Sequence, residues 1–130
     1  MTFIHHVTVR LFHTDAATVI FYGRLFDITQ ECFEMGLLKA GFPLGGMLRQ
    51  RDYLLPVVHA EVDFRAPMRV GDQLECRCSL TPGGRSVRLD VEIHNGEEIA
   101  ASAAVVHAAI DLVSGRSITV PLQLRTALEG

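Results

Sequence analysis

Residues 3 to 11 alternate, with Phe3, His5, Val7, Val9 and Leu11 set against Ile4, His6, Thr8 and Arg10, and this predicts a strand. A loop around 13 to 18 follows. From about Gly23 to Leu38 the period lengthens to that of a helix. Leu25, Ile28, Cys32 and Met35 fall on one line, with Phe26, Phe33 and Leu37 beside it. Arg24, Asp27, Glu31 and Glu34 leave only a narrow polar strip, so most of this helix is expected to be buried. Gly41 and Pro43 mark its stop.

Beyond a Gly-containing loop the pattern is almost all strand. VVHAEVDF (57–64), QLECRCSL (73–80) and SVRLDVEIH (86–94) each alternate, and PMRVGD, TPGG and NGEE read as the turns between strands. IAASAAVVHAAIDL (99–112) is apolar on both faces, as expected of a central strand. VPLQLRTALE (120–129) suits a short last helix. The predicted order is one strand, one long buried helix and an antiparallel meander of four longer strands. Such a set packs only if the sheet, of about five strands, curls around the helix, an α+β architecture. The apolar last strand and the free side of the sheet predict a partner subunit.

Length and composition narrow the function. A chain of 130 residues with 48% apolar and 21% charged residues is expected to form a single domain, 1–130. Its net charge of −3 and scattered arginines form no basic stripe, which argues against nucleic acid as the partner. No apolar run is long enough to cross a bilayer. MTFIHHVTVRLFH has neither a basic n-region nor a small-residue cleavage site, so it is read as a strand rather than a signal peptide. Cys32, Cys76 and Cys78 make an odd count, with the last two on one face of a strand. Buried reduced thiols in a cytoplasmic protein are the expectation, with no metal.

HTDAATVIFYGRLFDITQECFE (13–34) resembles the segment (T/C)DxAGxVxΦxxΦ, with Φ aromatic or large apolar, of the 4-hydroxybenzoyl-CoA thioesterase branch of the hot-dog family. PVVHAEVDFRAPMRVGDQL (56–74) is similar to that branch's strand, its Pro and its Gly-Asp turn. Within the branch, these motifs and TQECFE look most like 1,4-dihydroxy-2-naphthoyl-CoA thioesterases. The resemblance, spanning the chain to about residue 115, implies a hot-dog fold, a homodimer or a tetramer of dimers, and hydrolysis of an acyl-CoA, an aryl-CoA being favoured. It implies that Asp15 is the catalytic carboxylate and that the Tyr22 N–H, beside Gly23, polarises the thioester carbonyl. It further implies that the hairpin GGRSVR, with Gly84, Arg85, Ser86 and Arg88, reaches the CoA. The chain departs from the branch at Thr18, where Gly is usual, and at GRL after Tyr22.

The residues themselves suit this chemistry. No Ser, Thr, Asp or Asn occupies 21–24 to cap the helix, so its first N–H groups are free to stabilise an oxyanion. Asp15 would act either as general base on water or as a nucleophile giving an acyl-aspartyl anhydride. No metal or redox cofactor is needed. An Asp in a loop before a helix is otherwise a turn residue. Glu31 and Glu34 compete with Asp15, because another hot-dog branch uses a helix glutamate. Glu34 reads as solvated and Glu31 as lining the pocket beside Thr18. His59 points outward with Glu61 and Asp63, with pocket contact as the alternative, and His13 and His107 read as loop and interior residues. Rival readings are an aliphatic acyl-CoA or acyl-carrier thioesterase, a hydratase built on His13 or His59, and a non-catalytic acyl-binding protein.

Overall fold

In the computed structural model, which describes residues 1–50 and 52–130, the alternating segments form strands and the 3.6-residue period forms a helix. Strand β1 (Thr2–Thr8) leads through a 3-10 turn (Leu11–His13) to helix α1 (Tyr22–Lys39). Then come α2 (Leu44–Gln50), β2 (Tyr53–Leu54), β3 (Val57–Phe64), β4 (Gln73–Pro82), β5 (Ser86–Asn95), β6 (Glu98–Ala108), β7 (Ile110–Asp111) and α3 (Leu122–Glu129). The main sheet is antiparallel throughout, in the order β1-β4-β5-β6-β3, and β2 pairs with β7 separately. No helix among the described residues is long and apolar enough to cross a membrane.

Three expectations are corrected. The first strand stops at Thr8, because the Arg10 N–H donates to His13 Nδ1 at 2.9 Å and turns the chain. The Gly-containing loop holds the short helix α2, in which no residue is fully buried and Leu44 and Met47 pack on the core, too short a stretch to mark a helical period. The four later strands are not a simple meander. β4, β5 and β6 are, but β3 pairs with β6 at the far edge of the sheet. Residues 65–72 therefore form a crossover, pinned where the Ile20 N–H donates to the Met68 carbonyl (2.8 Å) and the Val9 N–H to the Asp72 carbonyl (2.8 Å). β6 accordingly lies one place off the centre of the sheet, and β5 occupies the middle.

The core lies between α1 and the sheet. Leu25, Ile28, Cys32, Phe33 and Leu37 are buried against Leu74, Cys76, Leu80, Leu89 and Ile93, each large aliphatic side chain contributing roughly 1.5–3 kcal/mol. The helix comes so near β1 and β4 that a Cβ at Gly36 would stand 2.5 Å from Leu80 Cδ1 and 2.7 Å from Phe3 Cζ. One turn earlier, the three free thiols meet. Hydrogen bonding with Cys76 and Cys78, together with burial, pushes the Cys32 thiol up, which keeps it protonated and inert.

His107 is a core residue, 2% exposed, with its ring stacked on Phe33 at 3.6 Å. Its Nδ1 faces the Leu55 carbonyl at 2.9 Å, which makes Nδ1 the donor and Nε2 a bare acceptor. Nε2 has no partner among the described residues, so His107 is interior as expected but leaves one ring nitrogen unsatisfied.

Two predictions follow from this packing. Gly36→Leu should lower the unfolding free energy by about 2–3 kcal/mol in denaturant titrations, overpacking outweighing the helix-propensity gain of about 1 kcal/mol. A neutral result would show that α1 has room to retreat. Burial also holds the pKa values of His107 and His13 below the ordinary histidine value. The unfolded chain then binds more protons, so stability is complete above about pH 6.5 and declines as the pH falls below it. His107→Gln, which keeps a donor for Leu55, should flatten that decline.

Candidate active site

Asp15 sits in a turn that its own side chain closes. The Thr18 N–H donates to the Asp15 carbonyl at 3.0 Å, and the Ala17 N–H donates to Asp15 Oδ1 at 2.8 Å. The Asp15 N–H in turn donates to the Val19 carbonyl at 3.1 Å. The turn-residue reading is thus true of one carboxylate oxygen, and the other is left for chemistry. The tightness of the turn places Thr18 at φ 65°, a left-handed conformation that costs a β-branched residue about 1–3 kcal/mol.

The chain then enters α1 with its amides used in order. The Ile20 N–H goes to Met68, and the Phe21 N–H goes to the His13 carbonyl at 3.0 Å. Phe21 is the N-cap and makes no side-chain cap bond. The N–H groups of Tyr22 and Gly23 are therefore the first in the helix without a partner among the described residues. They carry the positive end of an 18-residue helix. Gly23 has a second reason to be glycine. A Cβ there would press on the Phe21 ring at 3.1 Å, and that ring leans on Tyr22 with centroids 4.6 Å apart.

Asp15 and Tyr22 line one cavity of about 490 Å³. Phe21 and Val19 belong to the same wall, while Phe64, Arg65, Ala66, Pro67 and Met68 from the end of β3 and the crossover form the opposite one. Three exposed aromatic rings, Phe21, Tyr22 and Phe64, thus surround a carboxylate and the first residue of α1, while Gly23 stands next to the cavity in sequence but is not among its lining residues. Polarising a carbonyl beside a base is within the means of such a set. No histidine is among the lining residues.

The other expected binding residues lie elsewhere in the protomer. Thr18 shapes the turn but does not line the cavity. Glu31 accepts from His5 Nε2 at 2.9 Å in a separate polar cleft of about 450 Å³ that also holds His13 and Asp27. His59 stands on the outer face of the sheet, 3.8 Å from Glu61, and Arg88 pairs there with Asp90 at 3.1 Å. Arg85 and Ser86 occupy the β4–β5 turn. Ser86 pairs with Ala108 whereas Phe64 pairs with Ala101, so that turn is about 20 Å from the cavity along β6. A larger hollow of about 820 Å³, on the outer sheet face beside Arg77, Asp90 and Glu92, contains none of the expected site residues. Phe64, Arg65, Pro67 and Met68 were missed because FRAPM reads as a strand end and a turn. An aromatic and an arginine set against Pro was the only signal available.

Residues 17–102 match the model of the thioesterase superfamily. The chain is 32% identical over 126 residues to a 1,4-dihydroxy-2-naphthoyl-CoA hydrolase of Acaryochloris marina, spanning 94% of this chain and 92% of that one. It is 33% identical over 132 residues to the protein of the same name from Nostoc punctiforme, with 99% and 88% covered. Among solved structures, a 1,4-dihydroxy-2-naphthoyl-CoA thioesterase from Synechocystis superposes with a TM-score of 0.91 at 29% identity, over 98% of this chain and 96% of that one. With the family matched over most of its length and the fold shared throughout, the chain belongs to the thioesterase superfamily and has the hot-dog fold.

Proposed function

We propose that residues 1–130 act as one domain that hydrolyses aryl-CoA thioesters, of which 1,4-dihydroxy-2-naphthoyl-CoA is the leading substrate, to the free acid and CoA. The observation that carries this reading is the shared cavity of Asp15 and the uncapped α1 N-terminus, walled by Phe21, Tyr22 and Phe64. The relatives' names support the substrate class. In this reading α1 is the central helix of the fold and its N-terminus is the oxyanion end.

The thioester carbonyl oxygen lies against the Tyr22 and Gly23 N–H groups, and Asp15 faces the carbonyl carbon. The carboxylate either takes a proton from attacking water or adds to the carbon itself, giving an anhydride that water then opens. In both routes the tetrahedral oxyanion is held by the two helix N–H groups, each such donor contributing about 3 kcal/mol of barrier lowering. The sulfur leaves as a thiolate, whose conjugate acid has a pKa near 8.5, so no dedicated general acid is required. A hydratase would need a histidine in the cavity, and none lines it.

The assembly we propose is a cytoplasmic homodimer, or a tetramer of dimers, paired along β3. β3 is the edge strand next to the cavity, and seven of its eight residues are exposed, among them Val57, Val58 and Phe64. Antiparallel pairing of two β3 edges brings the far end of one protomer's sheet toward the other's cavity. Arg85, Ser86 and Arg88 of the neighbouring subunit then become available to the CoA nucleotide, with His59 at the seam.

A CoA-thioester panel tests the assignment. Asp15→Asn should reduce kcat on aryl thioesters by about 10³-fold at nearly unchanged KM, and equal rates for the two proteins would remove Asp15 from the reaction. Thr18→Gly should raise unfolding stability by about 1 kcal/mol through relief of the left-handed backbone, with kcat kept within about threefold. A loss of stability in that variant would mean that the turn is unstrained.

A further inference from the structure

The mechanism leaves one charged group of the cavity without a task. Arg65 lines the same space as Asp15 and Tyr22. Its backbone is fixed, the Arg65 N–H donating to the Ala100 carbonyl at 2.8 Å, but its guanidinium makes no hydrogen bond or ion pair among the described residues. Arg24 pairs with Asp27, Arg77 with Glu75, Arg88 with Asp90 and Arg125 with Glu129, while Arg10, Arg49, Arg69, Arg85 and Arg116 make no side-chain ion pair among the described residues. Arg65 is set apart by sharing the cavity with Asp15. An arginine placed to tune Asp15 would pair with it. These two opposite charges share a cavity and stay apart, which leaves room for a molecule between them.

Size decides which part of a CoA thioester Arg65 can meet. A sphere of the cavity's volume, about 490 Å³, is only about 10 Å across. With the carbonyl at Asp15 and the helix N-terminus, the first phosphate of CoA is removed by a pantetheine arm that extends about 15 Å, beyond the cavity. Ring oxygens of an aryl acyl group stand about 3–6 Å from the carbonyl carbon, within it. The planar guanidinium, exposed in the free protomer, presents several N–H donors to such an oxygen.

We propose that Arg65 is the specificity-determining residue for hydroxylated acyl groups, its guanidinium donating to a phenolic oxygen of the ring while the carbonyl lies between Asp15 and the Tyr22 and Gly23 N–H groups. This rests on the aryl-CoA thioesterase reading above and adds the feature of the ring that is recognised. An acyl ring without the hydroxyl covers the guanidinium and leaves it unpaired, which is how a polar pocket rejects an apolar analogue.

The test measures kcat/KM on matched pairs, 4-hydroxybenzoyl- against benzoyl-CoA and 1-hydroxy-2-naphthoyl- against 2-naphthoyl-CoA, for wild type, Arg65→Met and Arg65→Lys. Methionine keeps an apolar stem, and thermal unfolding midpoints of the three proteins report whether the fold is retained. The wild type should favour the hydroxylated member by about 30-fold or more, Arg65→Met should bring that ratio to within about threefold of unity, and Arg65→Lys should restore part of it. A loss shared equally by every thioester, hexanoyl-CoA included, would overturn the proposal by placing Arg65 on the CoA or in the loop scaffold. Wild-type hydrolysis of both pair members at equal efficiency would overturn it too, while leaving the aryl-thioesterase reading standing. Absence of wild-type activity on all aryl thioesters would remove both.

Discussion

One hydrogen bond, from the Ile20 N–H to the Met68 carbonyl, holds the site together. It joins the segment that enters α1 to the crossover that carries the chain from one edge of the sheet to β4. On its first side lie the Asp15 turn and the free N–H groups of Tyr22 and Gly23. On its second lie Phe64, Arg65 and Pro67. Without this tie the aromatic wall would lose its direct link to the carboxylate and the helix start, which are joined to each other by the Asp15–Val19 and Phe21–His13 backbone bonds. With it they face a single cavity at the start of α1.

The fixed position of α1 comes from the core rather than from the site. α1 cannot slide, because Gly36 already brings it against Leu80 and Phe3 with no space for a methyl group, and Cys32 one turn earlier packs on the β4 thiols. A helix seated this closely presents its N-terminal donors at a fixed point, which is the condition for preorganised oxyanion binding. The strain at Thr18 belongs to the same economy. A left-handed threonine persists only where its surroundings hold it, and here the Asp15 side chain and the Val19 and Met68 carbonyls do so.

Much of this was legible in the chain. The 3.6-residue period from Gly23 to Leu38 marked α1 nearly to the residue, since a wide apolar face admits few alternatives. The absence of a capping side chain at 21–24 showed in advance which N–H groups would be free. Thr18 stood out as a departure from the Gly of the resembling branch, and its φ of 65° gives the physical content of that departure. Strand partners were less readable. Alternation tells which face of β3 is which but not which neighbour it takes, so its pairing with β6, and the crossover this forces, escaped the pattern. The cavity residues 64–68 were hidden for the same reason: their role follows from the crossover, not from their own periodicity. α2 was hidden because its seven residues, with only Leu44 and Met47 against the core, are too few to show a period.

The central claim is that Asp15 and the α1 N-terminus act on the same carbonyl inside this cavity. A crystal structure with a CoA ketone, in which a methylene separates the sulfur from an aryl carbonyl, tests it most directly. The account predicts the carbonyl oxygen about 3 Å from the Tyr22 or Gly23 nitrogen, with the carbonyl carbon facing the Asp15 carboxylate and the ring between Phe21 and Phe64. Binding of the ketone carbonyl in the His5–Glu31 cleft or on the outer face of the sheet would contradict it.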